Sequence, residues 1–437
     1  MDVSSLKGGN TTANDTKPAV EYTAQVASPA ISGEVKMTIG DNGLTVVSLF
    51  AALEITYAEI NALELTDYVV TVKADSGDYS LSRLGNWCQP FYDTLYNKYN
   101  LAVLRSLFIK SSPVLTAKGD FIAAGSAAKR SIPICVFDNN VTALPPDLSA
   151  RRVPLCFVNG INKGDYSLTL FLDNGENYTF SKLGYETVPF ATAVEKRIRA
   201  LREESLVAVK EIDPSIATLQ ASQIAGIMPL GVAAPIGRIA GMAPSFAFAL
   251  EAKIAATRAA EYYKEFKMLC DASQIWIGFR KNEAAEESAA GGIPGSLAGD
   301  LNVMPGKHNA PASENTGEAD AATPDPCLLW LIAPSPNGLF AAVEFAEPDS
   351  ATFIYRTNGD FAAFAKQINR ALEAIDFKRE VIRLSDEELN KPENKDYFMA
   401  VKRTVALQMV RSSFVARVVH SSPESWKRKL QELWSGA

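Results

Sequence analysis

The sequence predicts an α+β fold in which an antiparallel sheet followed by a helix occurs twice in tandem. Two observations support this prediction. A motif of about ten positions recurs after about one hundred residues, and each copy has short β-prone runs and turn residues before one amphipathic helical stretch. A repeat of this length indicates duplicated domains, because solenoid repeats span only about 20–50 residues.

The repeated motif consists of strand, turn and helix-start residues. It reads Asp-Tyr, a glycine ten residues on, then Tyr-[Ser/Thr]-apolar-Ser-basic-Leu-Gly, four residues, and Pro-Phe. The copies run from Asp67 to Phe91 and from Asp165 to Phe190, and one inserted residue separates their spacings. The first glycine lies between two β-prone runs, where a tight turn favours a positive φ. The proline fits the first turn of a helix, where its missing N–H breaks no hydrogen bond.

Each motif leads into a stretch whose apolar residues recur at helical spacing. We expect a helix from about Asn86 to Phe108 and a second helix at the matching position. The apolar stripes contain Trp87, Phe91, Leu95 and Tyr99 in the first copy and Phe190, Val194, Ile198 and Leu201 in the second. Ser82 and Ser181 end the preceding strands, so we expect their hydroxyls to satisfy amides at the helix starts.

Composition restricts the class of protein. A chain of 437 residues predicts two to three domains, and 47% hydrophobic with 21% charged residues is typical of a soluble globular protein. The net charge of -7 argues against a nucleic-acid partner, which needs a broadly basic face. Five dispersed cysteines and two histidines predict reduced, buried thiols and no metal site or cofactor. The first residues lack the pattern of a signal peptide, so we expect a cytoplasmic location.

The remaining regions complete the predicted domain organisation. A third unit depends on the order of its elements alone, because the Ser-basic-Leu-Gly signature is missing there, and whether it is a true copy stays open. The predicted regions are a disordered lead-in (1–32), unit 1 (33–115), unit 2 (116–210), a connector and helix (211–272), a third unit (273–376) with a flexible insertion (283–326), and a basic helical tail (377–437).

The connector and the tail raise the question of a membrane surface. Residues 214–237 carry no charge, but their prolines and glycines argue against a spanning helix. We interpret them as a buried connector that leads into a helix over 247–269. The basic residues of the tail are interpreted as a solvated helical face that pairs with the acidic remainder of the chain.

An antiparallel sheet closed at one corner by a C-terminal helix resembles the pleckstrin-homology (PH) superfold. The repeated Asp-Tyr…Ser-[Arg/Lys]-Leu-Gly…helix arrangement is similar to PH-like modules of bacterial proteins. The resemblance covers residues 33–108 and 119–206, and less closely 274–376. It implies tandem PH-like units, each a partial barrel capped by its helix, with a helical connector and a helical C-terminal tail. Proteins of that superfold bind phosphoinositides, recognise peptides or act as scaffolds, and the fold alone does not choose among these roles.

The resemblance implies a phosphate site formed by basic residues of the first hairpin. The first hairpin turn, Ile39-Gly40-Asp41-Asn42-Gly43, has an acid where lipid-binding PH domains have a base, so unit 1 is expected to bind inositol phosphates poorly. Unit 2 offers two dibasic pairs that would form an anion site if their strands were neighbours, and ordinary surface charge is the other interpretation. These pairs are Lys129 with Arg130 and Arg151 with Arg152.

Catalytic motifs are almost absent. Ser126 and Lys129 match S-x-x-K, the nucleophile and base of one hydrolase class, but its companion motifs are missing. We therefore predict no catalytic residue and a non-enzymatic binding or scaffold protein that recognises protein partners, for example by strand addition at a sheet edge. One alternative is a peripheral membrane protein that binds anionic lipid through residues 214–237 and the tail. The other is a hydrolase using Ser126 and Lys129. Partner identity and oligomeric state are not predicted.

Overall fold

The computed structural model describes residues 20–281, 327–346 and 351–435. Within these ranges the chain has a mixed α+β architecture with three antiparallel sheets of six or seven strands. The first two sheets are each followed by a long helix, and shorter helices surround the third. The α+β prediction is therefore confirmed. The predicted insertion, 283–326, lies outside the described residues.

The first sheet and its helix are called unit 1. The strand order is β4-β3-β2-β1-β7-β6-β5, so β1 lies at the centre and pairs with both β2 and β7. The elements are β1 (Glu21–Ala27), β2 (Ser32–Ile39), β3 (Gly43–Val47), β4 (Ala52–Thr56), β5 (Ile60–Thr66), β6 (Val69–Ala74), β7 (Gly77–Ser82) and α1 (Cys88–Ser106).

The second sheet and its helix are called unit 2. Its order, β11-β10-β9-β8-β14-β13-β12, repeats that of unit 1 strand for strand. The elements are β8 (Leu115–Ala123), β9 (Lys129–Val136), β10 (Asn140–Ala143), β11 (Arg151–Pro154), β12 (Val158–Gly164), β13 (Ser167–Leu172), β14 (Asn177–Ser181) and α2 (Thr187–Ile212). The similarity found in one motif thus extends to the topology of the whole sheet.

The repeated motif builds the same backbone corner between the last strand and the helix. Arg83 and Lys182 take left-handed conformations, with φ of 61° and 55°, and the leucine that follows each is buried. A positive φ is uncommon for a residue other than glycine, so both copies keep the same unusual backbone conformation at this position. The predicted role of Ser82 was wrong, because its hydroxyl donates to the carbonyl of Gln25 at 3.3 Å across the β1–β7 ladder. Trp87 is exposed, because it lies in a 3-10 turn before α1 begins.

The predicted lead-in over residues 1–32 is too long. Strand β1 already begins at Glu21 and occupies the centre of the first sheet. Its side chains alternate, and Tyr22, Ala24 and Val26 are buried. The small and polar residues around them concealed this alternation in the sequence.

The third sheet has another topology. Its strands follow one another in chain order, from β15 to β20, which differs from the order in units 1 and 2. The strands are β15 (Ala234–Pro235), β16 (Trp276–Lys281), β17 (Cys327–Pro334), β18 (Phe340–Phe345), β19 (Ala351–Arg356) and β20 (Phe414–Val419). Strand β20 comes from the predicted helical tail, 377–437, so that prediction was wrong over these residues. Their β-branched side chains favour pairing with β19 over a helix.

Most of the helices that follow unit 2 pack around this sheet, whereas the helix over Lys395–Arg403 packs against α1 of unit 1. These helices are α3 (Thr218–Ile227), α4 (Ile236–Met242), α5 (Pro244–Ala255), α6 (Ala260–Leu269), α7 (Phe361–Ala374), α8 (Glu380–Arg383), α9 (Asp386–Leu389), α10 (Lys395–Arg403), α11 (Val405–Ser413) and α12 (Pro423–Ser435). The single helix predicted over 247–269 is two helices, because the chain turns after Ala255, where the Thr257 hydroxyl bonds the Ile254 carbonyl. In the described part of the chain, no helix has the length and hydropathy needed to cross a membrane.

Candidate functional site

The four basic residues predicted as an anion site lie on two strands that are not neighbours. Lys129 begins β9 and Arg151 begins β11, and β10 lies between these strands. Lys129 Nζ is 2.7 Å from Asp147 Oδ2, whereas Arg130 is exposed. The two dibasic pairs would converge only on adjacent strands, and their strands are not adjacent.

Arg151 and Arg152 contact other parts of the chain instead. Arg151 donates through Nη1 to the carbonyl of Arg403 at 3.0 Å. Arg152 donates through Nη1 to the Leu107 carbonyl at 3.0 Å and through Nη2 to Glu373 Oε1 at 2.6 Å. The side chain of Arg152 is only 6% exposed. This guanidinium therefore joins the end of α1, unit 2 and α7.

The Ser126–Lys129 pair has no geometry that would activate a nucleophile. Ser126 lies exposed in the loop after β8, and the Lys129 amine is held by Asp147. Burial tends to raise the pKa of Asp147, but hydrogen bonds from Lys129 and Ser149 outweigh it and hold that pKa below its usual value. A general base must reach the hydroxyl that it activates, and this amine is bonded to Asp147 instead.

The loop between β10 and β11, residues 144–150, docks on unit 1. Leu144 and Ala150 are buried in the hydrophobic core of unit 1. The Leu63 amide on the β5 edge donates to the Pro146 carbonyl at 2.7 Å, and the Tyr96 hydroxyl on α1 donates to the Leu144 carbonyl at 2.5 Å. This loop of unit 2 therefore covers an edge that unit 1 would otherwise expose.

The equivalent loop in unit 1 is a turn, residues 48–51, between β3 and β4; we call it the unit 1 tip. The amide of Ser48 donates to the Ala51 carbonyl at 2.8 Å, and Ser48 Oγ accepts from the Ala51 amide at 3.0 Å. These bonds fix a turn whose two central side chains, Leu49 and Phe50, are 87% and 92% exposed. Among the described residues no strand pairs with the outer edge of the adjoining β4. Exposed apolar groups beside an open edge are features of protein-binding surfaces.

The third sheet and the helices packed on it are called the third region, and a polar cleft lies where units 1 and 2 meet this region. Its cavity measures about 540 Å³, and a second cavity of about 300 Å³ shares five of its wall residues. The charged side chains of the larger cavity are Lys110, Arg152, Arg197, Asp138, Glu204 and Asp376. We call this cavity the central cleft. Its charged wall is balanced, with three cations and three carboxylates.

Ion pairs hold most of these charges in place. Arg197 Nη2 is 3.0 Å from Asp138 Oδ1, and Lys110 Nζ is 2.8 Å from Asp376 Oδ2. The Nε atoms of Arg152 and Arg197 are both buried without a hydrogen-bond partner. Within the described ranges, no group of three or more His, Cys, Asp or Glu side chains is arranged to hold a metal ion. The cations of the cleft wall are thus engaged with carboxylates, Arg152 with Glu373 among them.

Of the candidates predicted from the sequence, only Arg152 lies in the central cleft. Arg197 and Asp138 were missed, because they come from different elements and carry no local pattern. The tip had a weak signal: Leu49 and Phe50 follow a hairpin serine, but they extend an apolar run that reads as strand. No protein-family model matches the chain, and no curated protein sequence is significantly similar to it.

Proposed function

We propose that this chain is a non-enzymatic binding or scaffold protein whose tandem PH-like units recognise other proteins. Units 1 and 2 share one strand order and one helix position, which supports the PH-like interpretation. The observation that carries the function is the difference between their equivalent loops. Residues 144–150 of unit 2 are docked on unit 1, whereas the unit 1 tip presents Leu49 and Phe50 to solvent.

The tip has the physical properties of a binding anchor. Burying side chains of this size stabilises a complex by about 1.5–3 kcal/mol each. The bonds made by Ser48 fix the turn before binding, so little conformational entropy is lost there. The open edge of β4 adds unpaired main-chain groups, with which an extended partner segment can form a further strand. The proposed partner is therefore a protein that contributes an extended segment and a small apolar pocket.

The test compares the double variant Leu49→Ser/Phe50→Ser with the control Val188→Ser/Leu219→Ser, whose residues are 73% and 72% exposed elsewhere. Tagged proteins are used to capture partners from lysate with quantitative mass spectrometry, and sedimentation velocity measures self-association. We expect the tip variant, but not the control, to lose captured partners or self-association. The proposal fails if the tip variant and the control behave as the wild type does in both measurements, with thermal unfolding showing that each is folded.

The peripheral membrane alternative has less support. The apolar residues of 214–237 that it would use are largely buried, among them Ile224 and Met228. Three basic residues of the tail are paired with acidic groups of the chain, namely Lys402 with Asp75, Arg411 with Asp386 and Lys427 with Glu265. Liposome flotation with and without anionic lipid tests this alternative, which requires co-flotation at low salt.

A further inference from the structure

We infer that the partner of the unit 1 tip is a second copy of this chain, which offers the outer edge of β12 in its unit 2. This partner depends on the function proposed above, because the contact uses the tip as its binding surface. The reason for choosing a second copy is the contact that units 1 and 2 already make within one molecule.

Within one molecule, the two units are joined by a contact between a loop and a strand edge. The loop over residues 144–150 lies on the outer edge of β5, where the Leu63 amide donates to the Pro146 carbonyl at 2.7 Å and Ala62 bridges to Asp147. Unit 2 supplies the loop of this contact, and unit 1 supplies the edge. Because the two sheets share one strand order, the equivalent loop of unit 1 is the tip and the equivalent edge of unit 2 is that of β12.

The edge of β12 has the same pairing pattern as the edge on which the loop docks. Ile161 precedes Asp165 by four residues, as Leu63 precedes Asp67, and each edge strand has a register shift just before this position. The Ile161 amide is therefore expected to face outward, as the Leu63 amide does. Leu63 is 1% exposed, whereas Ile161 is only half-buried. In the described part of the chain, no strand or isolated bridge pairs with the outer edge of β12.

The helix beside each edge differs in a way that suits the tip. On α1, the Tyr96 hydroxyl bonds the docked loop, and the ring of Tyr92 lies next to it with the ring centroids 5.8 Å apart. Counted from the Pro-Phe of the repeated motif, the equivalent residues of α2 are Glu195 and Ala191. Alanine is much smaller than tyrosine, which leaves more room beside the β12 edge for the large Phe50 ring of the tip.

The polar groups of the two surfaces also match. Lys163 on β12 lies 2.5 Å from Glu195, between Nζ and Oε1, but its side chain is 55% exposed and an ammonium has three N–H donors. Within the described chain, the carbonyl oxygens of Leu49 and Phe50 accept no hydrogen bond. The Ile161 amide and the Lys163 ammonium can therefore donate to these two carbonyls of the tip.

Association of this kind is head-to-tail, because the tip and the β12 edge are different surfaces. A molecule that binds through its tip still has an open β12 edge, to which the tip of another copy can bind. Contacts between unlike surfaces produce a closed ring or an open filament. The interface between molecules then repeats the contact between units 1 and 2 within one molecule.

The test is sedimentation velocity of the full chain over a range of micromolar concentrations. The edge variant Ile161→Glu places a charge beside the docking amide, and the matched control Ile122→Glu makes the same change at a partly exposed isoleucine on β8 of the same unit. The tip variant is Leu49→Ser/Phe50→Ser. We expect the wild type and the control to sediment faster as the concentration rises. The tip and edge variants should associate at least about tenfold more weakly, because each loses a central contact.

A mixture of the two variants tests the head-to-tail geometry. The tip variant keeps its β12 edge and Ile161→Glu keeps its tip, so an equal mixture should form a heterodimer that does not grow further. Labelling one variant with a fluorophore makes this species visible in sedimentation. A mixture that remains monomeric would overturn the inference, and so would equal association of Ile161→Glu and Ile122→Glu.

A wild type that stays monomeric at every concentration would also overturn the inference. The proposed function would still stand in that case if the tip variant loses a captured protein in the lysate experiment. If Ile161→Glu does not fold, Lys163→Pro replaces it, because every second amide of a strand faces the same side and an edge strand tolerates proline where that side is open. Unchanged association of a folded Lys163→Pro variant would overturn the inference as well.

Discussion

Arg152 on β11 and Glu373 on α7 form a buried ion pair, with Nη2 and Oε1 2.6 Å apart. This pair joins unit 2 to the helix that packs on the third sheet. Burial raises the pKa of Glu373 above its ordinary value, although the positive charges of Arg152 and Arg370 oppose the shift. The pair therefore combines a short, charged hydrogen bond with the cost of burying the Glu373 carboxylate. Substitutions at the two residues measure these two effects separately.

Arg152→Leu is expected to destabilise the protein by about 3–5 kcal/mol, because it leaves the Glu373 carboxylate buried without its closest cation. The double variant Arg152→Leu/Glu373→Leu should regain most of this loss, because an apolar pair replaces the ion pair. Urea unfolding followed by tryptophan fluorescence measures both. A double variant that is no more stable than Arg152→Leu would show that the pair is not the source of the effect.

Glu373→Gln tests the pKa shift through the pH dependence of stability. Because the folded-state pKa lies above the unfolded value of 4.5, the folded protein binds this proton more tightly than the unfolded chain does. The resulting stabilisation is fully present below the unfolded pKa and is lost as the pH rises through the folded pKa. The wild type should therefore lose more stability than Glu373→Gln between pH 4.5 and pH 7 in thermal unfolding. Parallel pH profiles for the two proteins would contradict the shift.

Gly278→Ala is expected to be strongly destabilising. Gly278 faces Trp330 across the β16–β17 ladder, and a Cβ atom at this position would lie 2.1 Å from Trp330 Cζ2 in a fully buried ring. Overpacking of this kind costs about 1–3 kcal/mol or more. The matched control is Gly226→Ala in α3, where a Cβ meets nothing within 4 Å and the substitution should stabilise by about 0.4–1 kcal/mol. Equal thermal midpoints for the two variants would contradict the close approach.

The sequence allowed prediction of those parts of the fold that depend on a few neighbouring residues, but not of those that depend on packing between distant parts of the chain. The corner at Arg83 and Lys182 could be recognised in the sequence, because a basic residue followed by Leu-Gly sets the turn within four residues. Strand β1 was missed, because its pairing on both sides, rather than its own composition, makes it a strand. The central cleft could not be predicted for a related reason. Its side chains are brought together by packing between regions, and residues as distant as Asp138 and Asp376 share no sequence pattern.

Leu144→Ala tests whether the loop over residues 144–150 protects the edge of unit 1. Leu144 is fully buried in the core of unit 1, so its truncation should cost about 2–5 kcal/mol of docking or folding free energy. Looser docking would weaken the bond from the Leu63 amide to the Pro146 carbonyl. We therefore expect faster hydrogen exchange in β5, measured by mass spectrometry on peptides that cover this strand.

The control for this experiment is Leu148→Ala in the same loop, because Leu148 is only half-buried and its truncation should leave β5 protected. Faster exchange across all of unit 1 in Leu144→Ala would indicate global destabilisation, whereas faster exchange confined to β5 indicates local undocking. Unchanged protection of β5 in a folded Leu144→Ala variant would mean that the loop does not hold this edge. In that case the difference between the docked loop and the exposed unit 1 tip would no longer support a binding role for the tip.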